Sequence, residues 1–354
     1  MTPLIAMPGP WLPEAVPGRE PHAESLPPMP MLTRVLRRGR RLPDAPDWRT
    51  GVMAALGLPQ HVAPAAVAAR AAGLSAGTAV CLAAPLHLVA GLSRVHLPPG
   101  GRLQPAPAEE QAWCAAFNAE FGGGGVTLHV LAPGGGWLLE APFAAAARDA
   151  APEAITGAPL QRHAAQGAEE KALRRLAAES EMWLAAHALN RARAARGEQP
   201  LNALWFWGGT RAAPLPALPS LAGIATCGLA DAWLAGLAAH TGQTLHAARD
   251  LETALATATP STPASAAGDG AITMQPTTAL LVPAPDSDGA TRHYWQMIDE
   301  QWMAPALRAL QAGRIAALRV QAGRSARLLP ARDVFGWLRR ERRSWWQVIG
   351  EVPA

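Results

Sequence analysis

Residues 168–196 form the longest helical pattern in the chain, and a strand follows after a short break. Leu173, Leu176, Ser180, Leu184 and His187 fall close to one stripe, with Trp183 beside it, as a 3.6-residue period requires. Gly197 supplies the stop. Leu204, Trp205, Phe206 and Trp207 then read as a strand running into a Gly208-Gly209 turn. Helical patterns over 228–241 and 294–311 alternate with short apolar runs over 280–283 and 315–321. Helices alternating with short buried strands predict a layered α/β fold.

Earlier in the chain the pattern is less regular. Residues 1–30 are rich in proline and show neither period, so they read as a disordered leader. Residues 31–41 predict a basic amphipathic helix with Leu32, Val35 and Leu36 inward. Its Arg34, Arg37, Arg38, Arg40 and Arg41 form a solvated face or meet an anionic surface. A buried strand is expected at 80–84, stopped by Pro85, and a helix at 109–121 with Trp113, Phe117 and Phe121 on one stripe. Strands should follow at 126–131 and 134–139. The expected division is a leader (1–30), an α/β body (31–255), a low-complexity linker (256–270) and a C-terminal part (271–354) completing the same body.

Composition sets outer limits. Hydrophobic residues are 49% of the 354, enough for a sizeable core, and the formal net charge is only +4. There is one lysine against many arginines, so the basic balance is an arginine bias rather than a nucleic-acid signature. The three cysteines, Cys81, Cys114 and Cys227, are far apart and lack zinc spacing, which points to a reduced, cytoplasmic setting. No apolar run approaches the roughly 20 residues that cross a bilayer. The glycine-rich stretches lack a phosphate-loop lysine and read as turns.

Several segments, taken in order, resemble archaeal-type, cofactor-independent phosphoglycerate mutases, members of the alkaline phosphatase superfamily. They are Ala84-Pro85-Leu86-His87-Leu88, the helix ending His187-Ala188-Leu189-Asn190-Arg191-Ala192-Arg193, the Asn202-Ala203-Leu204-Trp205-Phe206-Trp207-Gly208-Gly209 strand, and Leu280-Leu281-Val282-Pro283-Ala284-Pro285-Asp286. The proteobacterial regulatory proteins of RpfE type resemble the chain over nearly its whole length. The likeness implies an alkaline phosphatase-like layered fold. That superfamily uses two divalent metals and a Ser or Thr nucleophile, and here the pattern departs. Asp286 stands where a metal-binding Asp is expected, but Ser287-Asp288-Gly289-Ala290 replaces the following His. Arg319-Val320-Gln321-Ala322-Gly323-Arg324 occupies the place of a late Asp-His pair. The metal site is therefore expected to be degenerate, with Asp286 a remnant, no catalytic residue identifiable and no cofactor expected.

His187, Asn190, Arg193, Asn202, Trp207 and Gly208 are the ligand-binding candidates. Arginine grips oxyanions and asparagine both donates and accepts, which suits a phosphorylated small molecule. The competing reading is a hydrogen-bonded helix–strand junction, with Trp205 and Trp207 in the core. At the C-terminus, Trp337, Trp345 and Trp346 lie among Arg332, Arg339, Arg340, Arg342 and Arg343. A helix there docks its tryptophans, with Leu338, and offers its arginines to solvent or a protein partner. The resulting expectation is a phosphoglycerate mutase-like protein, non-catalytic or repurposed, with a regulatory or interaction role and no membrane contact. A residual phosphotransferase or isomerase acting on a phosphorylated metabolite is the alternative, and nucleic-acid binding through Arg and Trp ranks last.

Overall fold

The computed structural model describes residues 2–8, 27–59, 62–91, 94–98, 100–131, 135–156, 160, 166–216, 221–227, 231–258, 278–283, 291–331, 344, 345 and 348. Its strands are β1 (Thr2–Met7), β2 (Arg40–Leu42), β3 (Ala79–Leu86), β4 (Val89–Ala90), β5 (Val95–His96), β6 (Thr127–Val130) and β7 (Trp137–Glu140). They continue with β8 (Ala203–Arg211), β9 (Leu221–Cys227), β10 (Leu245–Ala247), β11 (Thr278–Pro283), β12 (Ala317–Ala322) and β13 (Ser325–Pro330). The helices are α1 (Pro30–Arg38), α2 (Trp48–Ala55), α3 (Pro64–Ala68), α4 (Pro107–Phe121), α5 (Pro152–Ile155) and α6 (Gly167–Ala186). After them come α7 (Ala188–Ala195), α8 (Ala232–Thr241), α9 (Leu251–Ala258), α10 (Thr291–Met297) and α11 (Ala304–Gln311).

Two sheets organise the chain. The larger has the order β10-β9-β11-β1-β12-β13-β2. Its first five strands are parallel, and β13 and β2 close it by antiparallel pairing. Both faces are covered, so β1 and β11 read as continuous apolar runs instead of alternating. On one face Ile5, Leu281 and Val320 pack with Leu32 and Val35 of α1, Leu251 of α9 and Leu307 of α11. On the other, Leu4, Ala6 and Leu280 pack with Trp48 and Val52 of α2 and Trp233 and Leu237 of α8. The mixed α/β layering expected from the alternation of helices and strands is present.

The smaller sheet, β6-β7-β3-β8, is antiparallel throughout. Leu204 and Phe206 face α4 and α6, whereas Trp205 and Trp207 face α3 and the start of α8. Tryptophans at alternate positions thus line the seam between the two sheets. There α8 and α3 approach closely, so that a Cβ on Gly236 would overlap the Val67 carbonyl.

The largest correction concerns the N-terminus. The expected leader begins with β1, the strand at the middle of the seven-stranded sheet, buried from Pro3 onward. Pro3 obscured it, since proline removes a ladder donor. Here Pro3 lies near the strand's start, opposite Ala279 of β11, and the β12 ladder begins only at Leu4. Residues 9–26 lie outside the described set.

Other boundaries moved for local reasons. The helix over 168–196 is two helices, because His187 is extended (φ −73°, ψ 144°) and caps the second. The strand at Leu204 does not turn at the glycines but runs on to Arg211. Gly208 sits at φ +64° where the register against β3 shifts, a bulge and not a turn. Helix α9 reaches into the expected linker, whose residues 259–270 are outside the described set. The helix over 294–311 carries a π-helical turn at Ile298–Met303. From that turn Asp299 reaches the N-terminus of α1, accepting from Leu32 N at 2.7 Å and Met31 N at 3.2 Å. Of the segment expected to form a C-terminal helix, Trp345 is buried with its ring 4.7 Å from that of Trp295. Trp337, Leu338 and Trp346 and the five arginines lie outside the described residues.

Removing residues 2–7 therefore discriminates sharply. Loss of a disordered leader would leave the thermal midpoint unchanged. Loss of a central strand, with several buried side chains each worth about 2–5 kcal/mol on truncation, should abolish cooperative unfolding monitored by circular dichroism.

Candidate functional site

Side chains of the block around His187 hydrogen-bond to the protein itself. His187 Nδ1 accepts from Leu189 N at 3.2 Å, and its ring packs 4.8 Å from Trp113 and 4.6 Å from Trp183. Burial, with Arg191 nearby, lowers its pKa. Asn190 donates to the carbonyls of Leu184 and Leu201, both at 2.7 Å, and accepts from Leu201 N at 2.9 Å. Asn202 accepts from Leu88 N at 2.7 Å and donates to Leu88 O at 2.8 Å. Each carboxamide stands in for a neighbouring strand's peptide group. Arg193 donates to Gln199 O at 2.7 Å and Glu109 Oε1 at 2.8 Å. It lines an open groove of about 490 Å³ with Gln104, Glu109, Glu198 and Gln199. Beside it Arg196 is paired with Glu198, so the groove's carboxylates are engaged by arginines. Trp207 and Gly208 lie further along β8, against Arg49 and Pro64 respectively. Asp286 is outside the described residues.

The most concentrated chemistry lies at the seam, and the sequence reading did not find it. Arg49 of α2, 2% exposed, donates to Glu153 of α5 and, at 2.6 Å, to Asp231, which N-caps α8. Arg102 also donates to Asp231 at 3.3 Å. Trp48 Nε1 donates to Glu153 at 2.9 Å. The Arg49 guanidinium carbon is 4.5 Å from the ring of Trp48 and 4.8 Å from that of Trp207, so the cation lies against two indoles. Burial pushes the carboxyls of Asp231 and Glu153 upward, but Arg49 and Arg102 outweigh it and hold both below their ordinary values. Burial likewise opposes the Arg49 charge and the two carboxylates overcome it. Two guanidiniums and two carboxylates leave the cluster formally neutral.

These four residues are separated by long stretches of chain, so no spacing rule joins them. The visible signals were local: Asp47 and Asp231 each precede an apolar helix, the N-cap position, and both accept from the helix's first free N–H groups. That Asp231 would also bind two arginines follows only from how the sheets pack.

Open α/β sheets bind ligands beyond the carboxyl ends of their parallel strands. Asp231 lies there, after β9. A void of about 20 Å³ beside it, lined by Arg102, Glu110, Trp137 and Trp207, holds a water at most. Two-metal phosphoryl transfer needs carboxylates and imidazoles whose lone pairs face two cations. Asp231 and Glu153 direct theirs at guanidiniums, which stay charged at any physiological pH. These residues do not fit a metal pair. Among the described residues no group of three or more His, Cys, Asp and Glu gathers, and no helix is long and apolar enough to cross a membrane.

No protein-family model matches the chain, and a search of curated proteins gives no match. Among solved structures it is similar to a cofactor-independent phosphoglycerate mutase from Thermoplasma acidophilum, at 14% identity over 99% of this chain and 97% of the other, with a TM-score of 0.38. It is also similar to the PH0037 protein from Pyrococcus horikoshii, at 12% identity over 93% and 86% of the two chains, with a TM-score of 0.44. Likeness at this level assigns no reaction.

The geometry sets two stability measurements. Asn202→Ala strips the partner from both Leu88 groups and should lower stability by about 1–3 kcal/mol. An unshifted thermal midpoint would leave the clasp without a structural role. Asp231→Asn breaks a buried ion pair and should cost about 3–5 kcal/mol. In the wild type, Asp231 and Glu153 bind protons less readily folded than unfolded. Their stabilisation is complete above the ordinary values of 3.8 and 4.5 and is lost as pH falls through the depressed folded ones. Acid titration of the unfolding free energy should show that loss in the wild type and a smaller one in Asp231→Asn.

Proposed function

We propose that the chain is a phosphoglycerate mutase-like protein in which an alkaline phosphatase-like layout serves binding, in a regulatory or interaction role, instead of metal-assisted phosphoryl transfer. One observation carries the reading. The carboxylates described at the carboxyl-end crevice, Asp231 and Glu153, are committed to Arg49 and Arg102. Replacing metals by arginines keeps the crevice electrically balanced and the layers joined, while removing the groups that would activate a nucleophile. The sequence departures at Ser287-Asp288-Gly289-Ala290 and Arg319–Arg324 support the same reading. The alternative of residual turnover on a phosphorylated metabolite has no group of its own among the described residues to carry it.

Metal analysis of the purified full chain, joined to a coupled mutase assay with Mn²⁺ or Zn²⁺, tests the reading. The expected result is no stoichiometric metal and no conversion of 3-phosphoglycerate above background. Two tightly held metals per chain, or robust turnover, would falsify it.

A further inference from the structure

Away from the seam, the β2 edge of the large sheet concentrates positive charge on both faces. Arg34, Arg37, Arg38, Arg40 and Arg41 fall within residues 34–41. The antiparallel ladder places Arg319 opposite Leu328, and Leu328 opposite Arg40. Directly opposed residues share a face, so Arg319 and Arg40 flank Leu328 on the side covered by α2. In the next register Val320, Arg327 and Arg41 line up on the α1 side. Like charges gathered on adjoining strands repel. The carboxylates nearest in sequence are already in use: Asp44 binds Arg41, and Asp47 caps α2.

Arg319 is the member that structure alone does not explain. Its side chain is half-buried, its Nε is enclosed with no hydrogen-bond partner, and no ion pair among the described residues reaches it. Burial draws its pKa below the ordinary arginine value with no carboxylate to offset it. Its neighbour on the same face, Gln321, is sealed against Gly51 of α2, whereas Arg40 is open to solvent. A desolvated guanidinium with no counter-charge is costly to a fold unless an anion completes it.

We infer that Arg319 and Arg40 form an oxyanion site of the phosphate class, on the α2 face of the β12–β13–β2 edge. Leu328 provides the floor between them, and two guanidiniums offer the planar forks that match phosphate oxygens. The site is independent of the arginine-locked seam and of the reading proposed above for it.

Thermal unfolding of the full chain, with inorganic phosphate titrated against chloride at matched ionic strength, tests the site. Phosphate should raise the midpoint of the wild type. Arg319→Gln should raise the midpoint without phosphate, by removing an uncompensated charge, and should abolish the phosphate-dependent rise. Arg40→Gln, at an exposed position, should leave the midpoint unchanged and weaken phosphate roughly tenfold, the equivalent of one charged hydrogen bond. Arg314→Gln, at an exposed arginine paired with Glu252, should keep the full rise. A wild type indifferent to phosphate overturns the site. So does a rise that survives both Arg319→Gln and Arg40→Gln, or an Arg319→Gln chain that is simply destabilised. Salt-sensitive binding of single-stranded DNA without any phosphate-dependent rise also overturns it, since the edge would then be a diffuse polyanion surface.

Discussion

The buried Arg49 side chain is the interaction on which the relation between the two sheets depends. A guanidinium this enclosed survives only because two carboxylates approach from different parts of the chain and two indoles lie against it. Glu153 comes from the segment after the small sheet's first three strands, and Asp231 from the start of a helix on the large sheet. Satisfying Arg49 therefore fixes where the small sheet sits. Asp231 does this while also capping α8, so one carboxylate sets both a helix start and the joint.

The chain has three asparagines, and all three act in the same manner. Asn118 holds Leu128, Asn190 holds Leu201 and Asn202 holds Leu88, each accepting from the leucine N–H and donating to its carbonyl. A carboxamide has the donor and acceptor of a peptide group, so each asparagine supplies the backbone pairing that no strand supplies at that point. Leu128 lies on β6, an edge strand, and Leu201 and Leu88 lie just outside strands. The same property that makes asparagine a credible ligand-binding residue makes it a backbone surrogate, and sequence alone does not separate the two uses.

Charge is distributed by the same logic of local satisfaction. At the seam, arginine meets carboxylate and the sum is zero. In the groove beside α4, Arg193 and Arg196 meet Glu109 and Glu198. Near the β2 edge, Arg319 sits half-buried with no ion pair among the described residues. A modest overall charge of +4 hides this contrast between the neutral seam and Arg319.

Periodicity determined the elements whose burial is one-sided or whose apolar run is unbroken. The stripe of α6, the inward face of α1, the alternation of Trp205 and Trp207 and the apolar runs of β3 and β11 were all legible, because a helix or strand displays its packing in its own period. Gly197 marked the end of α7 for an equally local reason. Tertiary structure alone decided the rest. It placed residues 2–7 at the centre of the sheet, where a strand's partners, and not its composition, make it a strand. It carried the strand past Gly208 and Gly209, since pairing with β3 outweighs the turn preference of glycine. It gathered Arg49, Arg102, Glu153 and Asp231, whose attraction acts through space across stretches of chain that no sequence window spans.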